Sequence, residues 1–434
     1  MFKKNILNLI SVIFLIVAIL ILLYCIYRSE IIWLGTNRSY YFIYYIFSLS
    51  LLLFSIFLFF IKRKNQLVFF ANLFAVVLAI YTFETYLTFK KNNYTSNVST
   101  NKFDEYKKIA KKSTLSVAIP PQYFLNKKND IFPLSGHSNI LTIMCNEDGT
   151  FAKYDSDNYG FNNPKFAWDE RKLDYLLIGD SMTHGACVNR PNDIASILRE
   201  ITNKSALNLG YGGNGPLIEY ATLVEYSKKF EIKKILWLYY EGNDLIELNN
   251  EIKNNILIKY INNNNFNQNL ISKQDHINIL IKNTLQLEIS SQENKILFPF
   301  IKLESTRAGL NNTITSYKYK NNNKQLQNLE TFIRIMNLTK EFSKEHKAEL
   351  YFIYLPQHDR YLFKNFQNDN YSTILNIIKS LDINLINVHE SIFLKEKKPL
   401  EFYQINPEGN YGHYNIAGYK KIAELIKYKT LQNN

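Results

Sequence analysis

The sequence lacks an extended cluster of basic residues, although its formal net charge is +13 over 434 residues. Its lysines are scattered among Asn, Ile and Tyr, as in the run NNEIKNNILIKYINNNN at 249–265. Proteins that bind nucleic acid gather Lys and Arg on one face or along one helix. The scattered charge therefore argues against nucleic acid as a partner and indicates a bias of composition.

Histidine is scarce, and most of the seven histidines stand without the short spacing that metal ligands require. The isolated ones are His137, His276, His346, His358 and His389. We therefore predict no metal, and the motifs of the sequence indicate no other cofactor.

Cysteine is rarer still, with three in the chain, of which Cys25 lies inside an apolar run. Cys145 and Cys187 remain as a candidate pair, which an oxidising compartment outside the cytoplasm would allow to bridge. Spacing in the sequence carries no information about geometry, so two separate buried thiols are an equal alternative.

Long apolar runs, in contrast, are concentrated near the start of the chain. Residues 6–27 and 40–61 carry no charge and reach the length of about 20 residues that a helix needs to cross a bilayer. Residues 67–88 form a third candidate, interrupted by Asn72 and Glu84, for which an interfacial or buried helix is the alternative. No small-residue cleavage site follows the first run, so we expect it to be retained as an anchor.

The basic residues around these runs predict their orientation. Two lysines precede the first run within MFKKN, and the basic stretch 62–64 lies between the second and third, whereas the first loop has only Arg28 and Arg38. Positively charged loops stay in the cytoplasm. We therefore predict a multi-pass protein of the bacterial cytoplasmic membrane, with residues 92–434 in the periplasm or outside the cell.

After the membrane anchor, which we assign to residues 1–91, the pattern is first polar and then α/β. Residues 92–168 begin as a Lys-rich linker and approach helix and continue into a hairpin at 140–154, with an Asp-Gly turn. From 173 onward, short apolar strands alternate with amphipathic helices. The predicted strands are 173–179, 205–210, 233–240, 348–355 and 382–389, and the predicted helices cover 191–202, 215–229, 326–345, 371–380 and 415–428.

This alternation predicts a parallel sheet covered by helices on both faces, in a domain at 169–434. Ligands bind such sheets beyond the carboxyl ends of the strands. Ser181, the Gly-rich run 210–215 and the EGND motif at 241–244 each follow a strand, so one site could contain all three. Residues 245–325 interrupt the alternation as a mainly helical insertion, which could act as a lid or be decoration.

Four short motifs offer the groups that serine ester cleavage needs, namely a hydroxyl, a base and donors for the oxyanion. The GDS motif supplies Ser181, whose backbone N–H can be one donor, and NLGYGG supplies Gly213 as another. The GND motif supplies the Asn243 amide, and GHYNIAG supplies His413 as the base. The structural alternative is that Ser181 merely caps a helix.

These motifs, in this order, resemble the SGNH hydrolase superfamily, also known as the GDSL esterases, over roughly residues 173–428. The resemblance implies a three-layer, flavodoxin-like parallel sheet, with Ser181 as nucleophile and His413 as general base. It also implies that Ser181, Gly213 and Asn243 form the oxyanion hole. The segments PLSGHSNILTIMCNEDG and SDNYGFNNP, with the membrane anchor, resemble envelope proteins that accompany surface-polysaccharide genes.

One position departs from the family pattern. The family places an aspartate three residues before the histidine, where this sequence has Asn410. The Asn410 amide oxygen could accept the ring N–H and orient His413, as asparagine does in the Cys-His-Asn variant of the triad. Nearby Glu408 could supply a carboxylate instead.

Other polar residues near the motifs have structural interpretations. His184, one turn beyond the GDS motif, is structural or faces the substrate. Asp180 and Asp244 are expected to accept hydrogen bonds from nearby backbone N–H groups in their turns.

The sequence therefore predicts a membrane-anchored serine esterase that acts on acyl esters, in particular O-acetyl esters, of cell-envelope glycans. An O-acyltransferase would use the same Ser181 and His413, with a sugar hydroxyl in place of water, and the sequence does not separate the two activities. A non-catalytic envelope assembly or binding protein is a third alternative, motivated by the missing aspartate.

Overall fold

The structure of the chain is a computed structural model. It describes residues 2–32, 35, 38–95, 101–111, 114–293, 302–303, 305–307, 310, 328–364, 366–368, 370–406 and 409–431. Contacts divide the chain into two compact units. The first unit comprises Met1–Phe89 with Lys302–Arg307, and the second comprises Lys90–Ile301 with Ala308–Asn434.

Three long helices make up most of the first unit: α1 (Phe2–Ile26), α2 (Arg38–Phe57) and α3 (Arg63–Thr95). A π-helical turn continues α1, and a 3-10 turn continues α2. The segments long and apolar enough to cross a membrane are Leu7–Ile31, Tyr41–Phe60 and Arg63–Phe89. Large apolar side chains stay exposed along all three helices, which suits lipid and not water. The prediction of three apolar spanning-length helices is confirmed, and it indicates association with a membrane.

Glu84 lies on α3 among apolar residues, with its side chain almost fully buried in the first unit. Its carboxylate accepts hydrogen bonds from the backbone N–H groups of Ser305 and Thr306, at 2.9 and 2.8 Å, and from the Thr306 hydroxyl at 2.7 Å. A carboxylate removed from water requires such donors. A short stretch of the predicted insertion therefore belongs with the apolar helices.

After the end of α3, the second unit contains α4 (Lys102–Ile109) and a small three-stranded sheet. β2 (Leu141–Ile143) pairs antiparallel with β3 (Lys153–Asp155) and parallel with β1 (Leu115–Val117). The predicted hairpin is present, but its strands are shorter than expected. The loop at 144–152 that joins β2 to β3 is longer than a two-residue turn, with the Asp-Gly dipeptide inside it.

A five-stranded sheet forms the centre of the second unit, in the order β5-β4-β6-β7-β8. Its strands are β4 (Lys172–Gly179), β5 (Ala206–Asn208), β6 (Glu231–Tyr240), β7 (Glu349–Leu355) and β8 (Asn384–Asn387). Every pairing between neighbours in this sheet is parallel. The predicted α/β class and the five predicted strands are confirmed.

Helices connect these strands. Their bounds are α5 (Ser181–His184), α6 (Ile194–Thr202), α7 (Pro216–Tyr226), α8 (Asp244–Glu251), α9 (Leu257–Asn262), α10 (Gln274–Glu293), α11 (Leu329–Glu345), α12 (Asp359–Leu362), α13 (Asn370–Ser380), α14 (Val388–Ser391) and α15 (Ile416–Leu431). Two antiparallel strands, β9 (Tyr403–Ile405) and β10 (Tyr411–Tyr414), precede α15. Helices α8 to α10 begin the predicted insertion, much of whose second half lies outside the described residues.

Alternate side chains of the central strands enter two separate hydrophobic cores. Leu176 and Ile178 of β4 pack in a core that includes α7, α11 and α13, whereas Tyr175 and Leu177 pack in one that includes α6 and α15. Successive residues of a strand point to opposite faces, and each fully buried apolar side chain contributes about 1.5–3 kcal/mol. The sheet is therefore buried on both faces.

The strand order determines where a ligand would bind. From β4 the chain moves outward to β5 and then returns to the other side of β4 to form β6. The winding reverses between β4 and β6, and open α/β sheets bind ligands beyond the carboxyl ends of the strands at such a point. Ser181 follows β4 and Asn243 follows β6, so both lie at this edge.

Candidate active site

Ser181 is the first residue of α5, directly after the turn that ends β4. The N-cap of this helix is Asp180, whose Oδ1 accepts a hydrogen bond from Met182 N at 2.8 Å, as we expected for Asp180. Because Asp180 caps the helix, the Ser181 hydroxyl is not needed for that purpose. The alternative interpretation of Ser181 as the cap is therefore wrong.

His413 lies on β10 and brings its ring to Ser181, which is 232 residues earlier in the chain. The distance from His413 Nε2 to Ser181 Oγ is 2.9 Å. Ser181 Oγ is also 3.3 Å from Asp180 Oδ2. A hydroxyl has one proton to donate, and the shorter distance favours His413 Nε2 as its acceptor.

Glu147 contacts the other side of the imidazole ring. Its Oε1 is 2.7 Å from His413 Nδ1, and its Oε2 accepts a hydrogen bond from the His413 backbone N–H at 2.7 Å. An ionised carboxylate can only accept hydrogen bonds, so Nδ1 carries the proton and Nε2 presents its lone pair to Ser181. Ser181, His413 and Glu147 thus form one hydrogen-bonded chain.

The contact shifts the pKa values of both partners in the directions of an ion pair. Burial alone would raise the pKa of Glu147, but the hydrogen bond and charge of His413 outweigh it and lower that pKa below its usual 4.5. Burial would lower the pKa of His413, but the hydrogen bond and charge of Glu147, with the charge of Asp180, raise it above its usual 6.5. Glu147 therefore makes His413 a stronger base.

Gly412 leaves the space that the Glu147 carboxylate fills. A Cβ atom at this position would lie 2.2 Å from Glu147 Oε2 and 2.4 Å from its Cδ, well inside van der Waals contact. The absence of a side chain directly before His413 therefore lets the carboxylate reach the ring.

The predicted orienting residue, Asn410, does not occupy this place. Its backbone N–H donates to Asn406 Oδ1 at 2.9 Å, and its backbone oxygen accepts from Asn406 N at 2.9 Å. Both ring nitrogens of His413 face other residues, Glu147 and Ser181. The prediction for Asn410 is therefore wrong. Glu408, the predicted alternative acid, lies outside the described residues.

Gly212 and Gly213 form a turn beside Ser181. Asn214 N–H donates to Tyr211 O at 3.3 Å, and Gly213 has a φ of 80°, which is the pattern of a type II turn with glycine at its third position. A Cβ atom at Gly212 would lie 3.8 Å from Ser181 Cβ. The turn therefore passes next to Ser181, while the oxyanion role of the Gly213 N–H stays a prediction.

Glu251 fixes the far end of this turn. Its fully buried carboxylate accepts hydrogen bonds from Gly215 N at 2.5 Å and from Leu217 N at 2.9 Å, where α7 begins. Burial raises the pKa of Glu251 to about 8, against the lowering effect of these hydrogen bonds. The carboxyl group thus anchors the start of α7 and the glycine turn before it.

Asn243 is the residue directly before α8. Its backbone oxygen accepts from Glu247 N at 2.8 Å, but among the described residues its side chain makes no capping hydrogen bond. Asparagine at an N-cap usually caps with its side-chain oxygen, so the amide is left for another use. Asp244 accepts a hydrogen bond from Tyr240 N at 2.8 Å, as expected. The oxyanion role of Asn243 stays a prediction.

Three asparagines hold the back of the α5 turn. Asn162 Nδ2 donates to His184 O at 2.9 Å, and Asn208 Nδ2 donates to Thr183 O at 2.7 Å. Asn163 in turn pairs with Asn208 by accepting from its N–H at 2.8 Å and donating to its carbonyl at 2.7 Å. The carbonyls of such a short helix lack intrahelical partners. The segment SDNYGFNNP therefore supports the turn that carries Ser181.

His184 is structural, one of the two roles we considered for it. Its ring stacks on Tyr211 with centroids 4.5 Å apart and meets Tyr154 edge-on at 5.2 Å. Burial lowers the pKa of His184 to about 3, so the ring is neutral at physiological pH.

Cys145 and Cys187 form a disulfide, which decides between the two alternatives for these thiols. Cys187 Sγ lies 4.0 Å from His413 Nδ1. The ligand atoms of Glu147, Cys187 and His413 lie within 4.8 Å of one another, as in a metal site. In this structure, however, the sulfur is bonded to Cys145, and Glu147 and His413 are paired with each other.

Sequence reasoning missed Glu147, although one signal pointed to it. Glu147 follows Cys145 by two residues, and Cys187 follows Ser181 by six. A bridge between the two cysteines places the Glu147 carboxylate near Ser181.

This arrangement can remove a proton from a serine hydroxyl and hold the resulting positive charge. His413 Nε2 is placed to accept the Ser181 proton, and Glu147 stabilises the imidazolium that forms. Groups of this kind catalyse acyl transfer to and from a serine oxygen.

Comparison with known proteins adds little to this geometry. No protein-family model matches the sequence, and no curated protein matches it significantly. Among solved structures, the chain is similar to a "putative lipolytic protein of G-D-S-L family" from Desulfitobacterium hafniense DCB-2, with 12% sequence identity and a TM-score of 0.30. The match covers 60% of this chain and 99% of that chain. Similarity at this level establishes neither a family nor an activity.

Proposed function

We propose that the chain is a membrane-anchored serine ester hydrolase of the SGNH type, acting on acyl esters, foremost O-acetyl esters, of cell-envelope glycans. The observation that carries this proposal is the hydrogen-bonded chain from Ser181 Oγ through His413 to Glu147, at 2.9 and 2.7 Å. The four ordered sequence motifs also support the proposal. Three of them lie at the carboxyl ends of β4, β5 and β6, which is the same edge of the sheet.

The proposed reaction is acyl transfer in two steps. His413 Nε2 takes the Ser181 proton as Oγ attacks the ester carbonyl, and the N–H groups of Ser181 and Gly213 with the Asn243 amide hold the oxyanion. The C–O bond to the leaving alcohol then breaks as His413 returns the proton to it. A water molecule, deprotonated by His413, attacks the acyl-enzyme and releases the acid and free Ser181.

The domain boundaries follow from this proposal. Residues 1–91 form the anchor, 92–168 an extension with the hairpin, and 169–434 a flavodoxin-like hydrolase domain of three layers with an insertion at 245–325. The strand order and the two hydrophobic cores support the last assignment. The hairpin extension contributes a catalytic residue, Glu147.

The proposed location is the bacterial cytoplasmic membrane, crossed three times, with the hydrolase domain in the periplasm or outside the cell. Three apolar helices of spanning length and the basic residues at 62–64 support it. The disulfide between Cys145 and Cys187 also suits an oxidising compartment. An envelope glycan is the ester substrate that this location favours.

The rival activities differ in their relation to the site. An O-acyltransferase would use the same residues, with a sugar hydroxyl as the second acceptor. The non-catalytic interpretation depends on the missing aspartate before His413, but Glu147 supplies a carboxylate at Nδ1.

A fluorophosphonate probe tests the proposal on the full-length protein in detergent. We expect the probe to label the wild type at Ser181, and Ser181→Ala, which keeps the fold, to remain unlabelled. An aryl acetate is then supplied with and without an acceptor sugar. Release of free acetate indicates a hydrolase, and formation of an acetylated sugar indicates an O-acyltransferase. A wild-type protein that is folded and takes up no probe would show that the site is not a serine esterase.

A further inference from the structure

The Cys145–Cys187 disulfide lies against the catalytic chain but takes no part in proton transfer. It connects two segments that are 42 residues apart, with 5.1 Å between their Cα atoms. One segment carries Glu147. The other follows directly after α5, whose first residue is Ser181. The bridge therefore joins the side of the site that holds the acid to the side that holds the nucleophile.

The loop that carries Glu147 makes hydrogen bonds within its own hairpin. Met144 N donates to Ala152 O at 2.9 Å and Ala152 N to Cys145 O at 2.8 Å, which closes the base of the loop. Gly149 N donates to Asn146 Oδ1 at 2.9 Å near its tip. These bonds shape the loop but do not direct it towards His413.

The hairpin has other ties to the segment after α5, and they lie on β3. Lys153 N donates to Asn189 Oδ1 at 2.8 Å, and Arg190 donates to Asp155 O at 2.9 Å. Glu147 lies on the β2 side of the loop, directly after Cys145 and Asn146. The disulfide ties the same side of the loop, two residues before Glu147.

The anchoring end of the bridge is firmly held. The Cys187 carbonyl accepts a hydrogen bond from Gln404 Nε2 at 2.9 Å, and the Ala186 carbonyl accepts one from Tyr419 OH at 3.2 Å. Ala186 N donates to Ser181 O at 3.0 Å. Cys187 is therefore fixed with respect to both Ser181 and the C-terminal part of the domain.

We propose that the Cys145–Cys187 disulfide is a positioning element that holds the Glu147 carboxylate against His413, so that the oxidised chain is the active form. This inference rests on the proposed function. A dithiol such as dithiothreitol would break the bridge. The disulfide takes up two electrons and two protons to give two thiols, while the dithiol becomes a cyclic disulfide. Released from the bridge, the loop no longer fixes Glu147 at Nδ1.

The test compares Cys145→Ser/Cys187→Ser with Glu147→Gln in the full-length protein in detergent. The readout is the rate of fluorophosphonate labelling as a function of pH. We expect the cysteine double variant to lose roughly 10²-fold in rate, since a misplacement of about 1 Å costs that much. The carboxylates whose charges raise the pKa of His413 are Glu147 and Asp180, and the charge of His358 helps to lower the pKa of Glu147. The neutral ring of His184 lies in the same neighbourhood. Loss of the Glu147 contact should therefore move the acidic limb of the profile to lower pH in both variants.

Adding Glu147→Gln to the cysteine double variant separates positioning from general stabilisation. If the bridge acts through Glu147, the combined variant should be no slower than Glu147→Gln alone, because the two changes share one target. If the cysteine double variant kept the pH profile of the wild type, the inference would be overturned. A combined variant whose rate loss is the sum of the losses of the cysteine double variant and of Glu147→Gln would also overturn it. Reduction and reoxidation of the wild type should lower and restore the rate reversibly. A folded wild type that never labels would instead overturn the proposed function and remove the premise of the inference.

Discussion

Glu147 and His413 contact each other through two hydrogen bonds although 266 residues separate them in the chain. One carboxylate oxygen holds the ring at Nδ1, and the other holds the backbone N–H of the same residue. The ring is therefore fixed both in its tautomer and in its direction towards Ser181. The carboxylate that contacts His413 therefore comes from a loop that precedes the α/β sheet.

Glu147→Gln should lower the plateau of kcat/KM on an aryl acetate by up to about 10⁴, the loss that follows when an amide replaces the orienting carboxylate of a serine triad. It should also move the acidic limb of the profile to lower pH, because Glu147 raises the pKa of His413. Asn410→Ala is the matched control and should leave both features unchanged, since Asn410 contacts Asn406 and not the ring. A larger loss in Asn410→Ala than in Glu147→Gln would contradict this assignment of the acid.

The same pair should make the stability of the fold depend on pH. The pKa of Glu147 is lowered on folding, so its contribution is present above about pH 4.5 and is lost as the pH falls. The pKa of His413 is raised, so its contribution is present below about pH 6.5 and is lost as the pH rises through the higher folded value. The difference in thermal midpoint between wild type and Glu147→Gln should therefore be largest at pH 5 to 6. An equal difference at pH 5.5 and pH 9 would contradict the ion pair.

Gly412→Ala tests the space that the carboxylate occupies. The added Cβ would meet Glu147 Oε2 at 2.2 Å, and the carboxylate is the end of a flexible side chain, so it should move while the fold survives. We expect a rate loss close to that of Glu147→Ala. In the Glu147→Ala background, Gly412→Ala should have little further effect on the rate, because the carboxylate that the new Cβ would meet is gone. Comparable losses from Gly412→Ala in both backgrounds would mean that the glycine serves another purpose.

The sequence predicts the sheet and two members of the catalytic chain because both depend on local patterns. The strands are short apolar runs between turns, and Ser181 and His413 sit in motifs that follow strands. Glu147 could not be recognised in this way, since a glutamate in a polar hairpin loop looks like any solvated residue. Its place beside His413 depends on a tertiary contact, for which Gly412 leaves the space.

Topology can be tested separately from chemistry. Because a short basic loop is retained in the cytoplasm, a reporter at the stretch 62–64 should be cytoplasmic and one at the C-terminus external. A C-terminal alkaline phosphatase fusion should be active, and a cytoplasmic reporter at the same point inactive. The reverse pattern would place the Cys145–Cys187 pair in a reducing compartment and would contradict the proposed location.

Asn243 offers the sharpest test of the oxyanion hole, because its backbone and side chain have separable duties. The backbone oxygen accepts the Glu247 N–H at 2.8 Å, while the side chain makes no capping bond within the described residues. Asn243→Ala should therefore avoid the usual loss of about 1 kcal/mol for an uncapped helix. It should nevertheless lower kcat by roughly 10²–10³, since the amide hydrogen bond matters mainly in the transition state.

Asn243→Asp is the matched variant, with the same shape but with an acceptor in place of the amide donor. It should be at least as slow as Asn243→Ala, because a carboxylate would face the developing negative charge. Thermal midpoints close to that of the wild type for Asn243→Ala would show that the rate loss is not a loss of fold. If Asn243→Ala raised KM and left kcat unchanged, the amide would bind the substrate equally in ground state and transition state. The oxyanion would then have to be held by backbone N–H groups beside Ser181, for which the Gly212–Gly213 turn is the candidate.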